Sequence, residues 1–116
     1  MSMDIKEYLV PDGVVLTLAG DLTYLNRKEF TSIVEAVRQK GCRHLILNMA
    51  AVRFIDSSGL GLLALVSQHF QTAKGRLSLV NLPNYVQEIM ALANIPKLIP
   101  VFDNEQAALA AYQVAM

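Results

Sequence analysis

"FIDSSGLGLL", Phe54–Leu63, sets an aspartate and two serines between one apolar run and another. An acid or hydroxyl ahead of a periodic apolar segment is the pattern of a helix N-cap. Its oxygen accepts from an N–H group that the first helical turn leaves without a partner. The run just upstream, His44–Met49 ("HLILNM"), is short and almost wholly apolar, which suits a buried strand. Downstream, Ser58 to about Ala73 predicts a helix that closes at Lys74 and Gly75. The chain therefore leaves a strand and enters a helix at Asp56, Ser57 and Ser58, and any chemistry carried by those residues sits at that junction.

Outward from the junction, strands and helices alternate. Asp4–Val10 and Val14–Ala19 are β-rich runs separated by "PDG", which predicts a hairpin. Asn26 with Glu29 three residues on forms a variant capping box, and Phe30, Ile33, Val34 and Val37 recur at helical spacing until Gly41. Arg76–Val80 alternates as a strand, and residues 81–95 predict a loop and then one helix with Pro83 near its first turn. Ile99–Phe102 predicts a last short strand, followed by a final Ala-rich helix capped by Asp103 or Asn104 and running to about Val114. The fold class expected is α/β: a mixed sheet of four or five strands with about four helices, in one domain over residues 1–116.

The helix after the junction is apolar on nearly every side. Leu60, Leu63 and Ala64 fall on one side, while Leu62, Leu65, Val66 and His69 cover much of the rest. A surface helix needs only one apolar stripe. Two readings stand: the helix is sandwiched between other elements, or one side packs on the sheet and the other meets a partner.

Composition removes several function classes. Apolar residues are 53% of the chain and charged residues 17%, which excludes intrinsic disorder. Ten basic and ten acidic residues cancel, and no aromatic residues interleave a basic cluster, so nucleic acid is not an expected partner. Cys42 is the only cysteine, so no internal disulfide forms. The first ten residues carry acids and lack the long apolar region of a signal peptide. Within Ser57–Ala73 only Leu60–Val66 is continuously apolar, far too short to cross a bilayer. A soluble, cytoplasmic protein with no direct membrane insertion is expected.

Catalysis is not expected either. The strained elbow that displays a hydrolase serine has glycine two residues before it, whereas Ile55 stands two before Ser57. His44 and His69 both lie in apolar periodic segments, so no general base is evident beside a serine. One cysteine and two separated histidines give no metal-ligand spacing, and no phosphate-binding loop motif is present. No cofactor and no metal are expected. Gly59 and Gly61 are read as permitting a tight turn and close packing of the helix. Two roles remain for the junction. In one, Asp56 and a serine only cap the helix, stabilising it by about 1 kcal/mol. In the other, a hydroxyl at the helix start is also a phosphoryl acceptor, where N–H donors and the helix dipole favour an anion.

"LILNMAAVRFIDSSGLGLL" closely resembles the signature of STAS domains, particularly the small bacterial anti-sigma factor antagonists. "LAGDLTYLNRKEF" is similar to that family's second strand and entry to its first helix, and the stretch from Arg76 to Tyr112 follows its closing pattern. The resemblance implies a switch protein rather than an enzyme. It implies that Ser57, directly after the aspartate, is phosphorylated by a partner that is both a serine kinase and an anti-sigma factor. Unphosphorylated, such an antagonist captures that partner and frees a sigma factor, and a PP2C-type phosphatase restores the capturing form. Asp56, Ser58, Gly59 and Gly61 correspond to the supporting motif residues, and Thr23, Tyr24, Ser57, Leu60 and Leu62 to the partner-binding surface. At Thr23 the antagonists commonly carry an acidic residue, so the sequence departs from the pattern there. The family also includes single-domain subunits attached to the ATPase of an ABC lipid-transport complex, which is the alternative implied. A monomer or weak dimer is expected.

Overall fold

The computed structural model describes residues 3–111. Five strands, β1 (Met3–Val10), β2 (Gly13–Leu22), β3 (His44–Ile55), β4 (Arg76–Val80) and β5 (Val101–Phe102), form one sheet in the order β1-β2-β3-β4-β5. β1 and β2 are the antiparallel hairpin; β2, β3, β4 and β5 run parallel. Parallel neighbours need crossovers, and these are helical. They are α1 (Arg27–Gln39), α2 (Ser57–Thr72), and α3 (Asn84–Leu92) with α4 (Ile95–Leu98). α5 (Glu105–Ala110) follows β5. The expected mixed α/β sheet is present, with a fifth helix among the described residues.

The period of two along the strands separates the two faces. Leu16, Leu18, Leu45, Leu47, Leu77 and Leu79 point to one side, where they meet Phe30 and Val34 of α1, Leu63 and Phe70 of α2, and Val86 and Met90 of α3. Val15, Ile46 and Val80 point to the other, against Ala108 and Leu109 of α5. α5 is further anchored by Glu105, whose carboxylate accepts from the Tyr8 hydroxyl and, at 2.9 Å, from Asn48 Nδ2. That hydrogen bond from Tyr8 to a carboxylate, aided by burial, pushes the phenol up to about 12.

Four expectations change in detail. β3 runs on to Ile55 rather than Met49, because Ala51, Val52, Phe54 and Ile55 keep pairing with β2 through two register shifts. Residues 81–95 do not hold one continuous helix to Ile95: Asn94 turns left-handed at φ 60°, ending α3 and starting α4, with Pro96 in its first turn. The last strand is only Val101–Phe102, because Ile99 closes α4 through N–H to Ile95 C=O at 2.9 Å and Pro100 has no N–H to give a ladder. Asn104, not Asp103, caps α5, its Oδ1 accepting from Ala107 N–H at 2.8 Å. The part of the final helix expected near Val114 lies outside the described residues.

His44 is buried on the α5 side of the sheet, its Nε2 2.8 Å from Ser78 Oγ. Burial, reinforced by the Arg76 charge, lowers its pKa to about 4. The unfolded chain binds this proton more readily than the folded one, so the stability held above about pH 6.5 falls as pH drops toward 4. Urea unfolding of wild type and His44→Gln between pH 7 and 4 is expected to show a steeper loss in wild type.

Candidate functional site

α2 begins where the central strand β3 ends, at the C-terminal end of the parallel strands. Asp56 is its N-cap in extended conformation (φ −103°, ψ −177°), and Oδ1 accepts from Gly59 N–H at 2.8 Å. The cap is therefore the aspartate, with Ser57 and Ser58 in the first turn. Ser57 is exposed and Ser58 half-buried. Asp56 does more than cap. Its Oδ2 accepts from the main-chain N–H of Tyr24 at 3.2 Å, and its own N–H donates to the Leu22 carbonyl at 3.3 Å.

The loop it holds is a single 3-10 turn, Tyr24–Asn26, between β2 and α1. Thr23 is half-buried and precedes the turn without a side-chain cap bond. Tyr24 and Leu25 project outward, 54% and 78% exposed. Arg27 lies over the Tyr24 ring, 3.5 Å from its centroid, and its Nη1 donates to the Tyr24 carbonyl at 2.7 Å. The expected capping box at Asn26 and Glu29 is not formed by Asn26: its side chain is buried and donates back to the Asp21 carbonyl instead. Asn26 thus ties the turn to the end of β2 rather than sealing α1.

α2 resolves the two readings of its apolar surface in geometric terms. Gly59, Leu63, Val66, Ser67 and Phe70 form its buried stripe. Ser57, Gly61, Leu65 and Gln68 are exposed on the opposite side. Leu60 and Leu62 lie on the flanks, half-buried against the main core. The helix is not enclosed, and its outward stripe carries the exposed serine.

The two motif glycines differ. A methyl group on Gly59 would collide with the Leu22 carbonyl oxygen and fall 2.8 Å from Ile55 Cγ1, so close packing requires glycine there. At Gly61 a methyl group would meet no atom within 4 Å. The close-packing role expected for both therefore holds for Gly59 alone. Gly61 stands one turn below Ser57 and costs helix propensity with no compensation inside the chain. Gly61→Ala is expected to raise stability by about 0.5–1 kcal/mol, read as a higher urea midpoint at unchanged slope.

Neither histidine can serve Ser57 as a base. His44 starts β3 and Ser57 follows its other end, so the 12-residue length of β3, about 36 Å at the strand rise, separates them. His69 lies twelve residues along α2, about 18 Å at the helical rise. Cys42 does not join His44 as a ligand pair; its thiol donates to the His44 carbonyl at 3.3 Å, and burial raises its pKa. No helix among the described residues is long and apolar enough to cross a membrane.

The comparisons with known proteins agree with this geometry. The chain is 27% identical over 106 residues to BtrV of Bordetella bronchiseptica, a candidate anti-sigma factor antagonist, covering 90% of this chain and 91% of BtrV. It is 28% identical over 80 residues to the anti-sigma F factor antagonist of Paenibacillus polymyxa, covering 69% and 68% of the two chains. The anti-sigma factor antagonist SpoIIAA in its unphosphorylated form superposes with a TM-score of 0.70 at 21% identity, over 93% of this chain and 96% of SpoIIAA. The phosphorylated form of SpoIIAA from Bacillus gives 0.71 at 19%, over 95% and 100%. The STAS domain model matches residues 5–108, nearly the whole chain, and the chain belongs to the STAS domain family.

Proposed function

We propose that this protein is a phospho-regulated anti-sigma factor antagonist, a binding module and not an enzyme, working in the cytoplasm. Unphosphorylated, it captures an anti-sigma factor that is also a serine kinase, and a sigma factor is thereby freed. The kinase moves the terminal phosphoryl group of ATP to Ser57 Oγ, releasing ADP and the hydroxyl proton. A PP2C-type phosphatase hydrolyses the ester and returns the hydroxyl and inorganic phosphate.

The observation that carries this reading is the exposed Ser57 in the first turn of α2, next to a capping Asp56 that also holds the exposed Tyr24–Leu25 turn. A kinase needs an accessible hydroxyl, and a docking partner needs apolar anchors close to it. The names of the relatives and the existence of SpoIIAA in a phosphorylated form support the same assignment. Gly61 fits it too: the absent side chain leaves room for another backbone one turn below the acceptor.

Affinity capture from a lysate of the source organism, with partners identified by mass spectrometry, tests the proposal. Wild type is expected to retain a serine kinase of the anti-sigma type, and Ser57→Asp to lose it. Retention of an ABC ATPase by both proteins would overturn the proposal in favour of a transport subunit.

A further inference from the structure

One carboxylate joins two elements at this site. Asp56 Oδ1 binds Gly59 N–H at 2.8 Å inside α2, and Oδ2 binds Tyr24 N–H at 3.2 Å in a turn 32 residues earlier. The two bonds are unequal in what supports them. Gly59 N–H belongs to the backbone of a 16-residue helix, and Gly59 is packed on the Leu22 carbonyl. Tyr24 N–H belongs to a three-residue 3-10 turn whose internal bond is Asn26 N–H to the Thr23 carbonyl at 3.0 Å. The turn carries the two most outward apolar side chains of this region, Tyr24 and Leu25.

We propose that Asp56 is a positioning residue through which phosphorylation of Ser57 reshapes the Tyr24–Leu25 turn: phosphate on Ser57 breaks the Asp56–Tyr24 bond and loosens the start of the turn, whose far end Asn26 still ties to β2. This rests on the reading of Ser57 as the acceptor. A phosphoryl group brings about −1.5 to −2 charges and three acceptor oxygens to the residue beside Asp56. Two anionic groups then compete for the donors of one helix start. The shorter bond, fixed within α2, persists; the longer one, to a short turn, yields. The switch thus acts twice, by charge at the docked surface and by loosening the apolar anchors next to it.

Amide hydrogen exchange, followed by NMR on the full ¹⁵N-labelled chain, tests this. Four proteins are compared: wild type, Ser57→Asp, wild type carrying phosphoserine at position 57, and Asp56→Asn. In the phosphoserine protein, exchange at Tyr24 is expected to rise about tenfold while Gly59 stays protected. Ser57→Asp should move Tyr24 in the same direction. Asp56→Asn keeps an acceptor oxygen for Gly59 but not a second for Tyr24, so it should expose the Tyr24 amide with Ser57 unmodified. An unchanged Tyr24 amide in the phosphoserine protein would overturn the coupling, even if partner binding is lost. Equal partner binding by the wild-type and phosphoserine proteins would instead overturn the switch reading, whatever Tyr24 does.

Discussion

Ser57→Asp is expected to weaken capture of the anti-sigma partner about a hundredfold, equivalent to about 2.8 kcal/mol. The magnitude follows from where the charge lands. Ser57 is exposed in the first turn of α2, so the fold can accept a carboxylate there, and the helix dipole favours it. On the proposed function, a partner docked over Ser57, Gly61, Tyr24 and Leu25 has to desolvate that carboxylate. Most of the cost therefore falls on the complex, and the free protein loses only the Tyr24 bond. Titration calorimetry against the captured partner reads the loss, and the urea unfolding free energy of the same variant should fall by no more than about 1.5 kcal/mol, the worth of one hydrogen bond to a carboxylate. Ser57→Ala should bind like wild type.

The largest expected effect on stability is at Gly59→Ala. Its methyl group would press on the Leu22 carbonyl, which is strand backbone, and on Ile55 Cγ1, which belongs to the main core. Neither is the free end of a flexible side chain, so relief requires α2 to shift off β2. A loss of about 3 kcal/mol is expected, at the upper end of ordinary overpacking. Because the same shift disturbs the Asp56 cap, Gly59→Ala should also weaken partner capture, whereas Gly61→Ala should stabilise the fold. Chemical denaturation of the two variants side by side checks the contrast. A Gly59→Ala protein as stable as wild type would mean that α2 does not sit on Leu22 as described.

The strand-to-helix junction was legible because its signals are local. An apolar run, an aspartate, and a leucine-rich segment occupy adjacent positions, and Asp56 caps Gly59 three residues on. The hairpin was legible for the same reason: Asp12 in "PDG" adopts φ 62°, which a turn residue of this kind tolerates. What the sequence did not disclose depends on contacts between distant residues. Asn26 and Glu29 carry the spacing of a capping box, but burial turns Asn26 toward Asp21, and tertiary structure overrides the local motif. The bond between Asp56 and Tyr24 spans 32 positions and leaves no periodic trace. Gly59 and Gly61 are identical as letters. Only the position of the Leu22 carbonyl distinguishes the glycine that packing demands from the one it does not. The break at Asn94 did have a local sign, an asparagine two residues before Pro96, which fits a left-handed stop between α3 and α4.

Phosphopeptide mapping of the protein after incubation with its captured partner and Mg-ATP, beside Ser57→Ala, tests the central claim most directly. The account predicts one phosphate on Ser57, none on the Ser57→Ala protein, and release of the partner as phosphate accumulates. Phosphate on Ser58 alone, or a complex that survives full phosphorylation of Ser57, would contradict it.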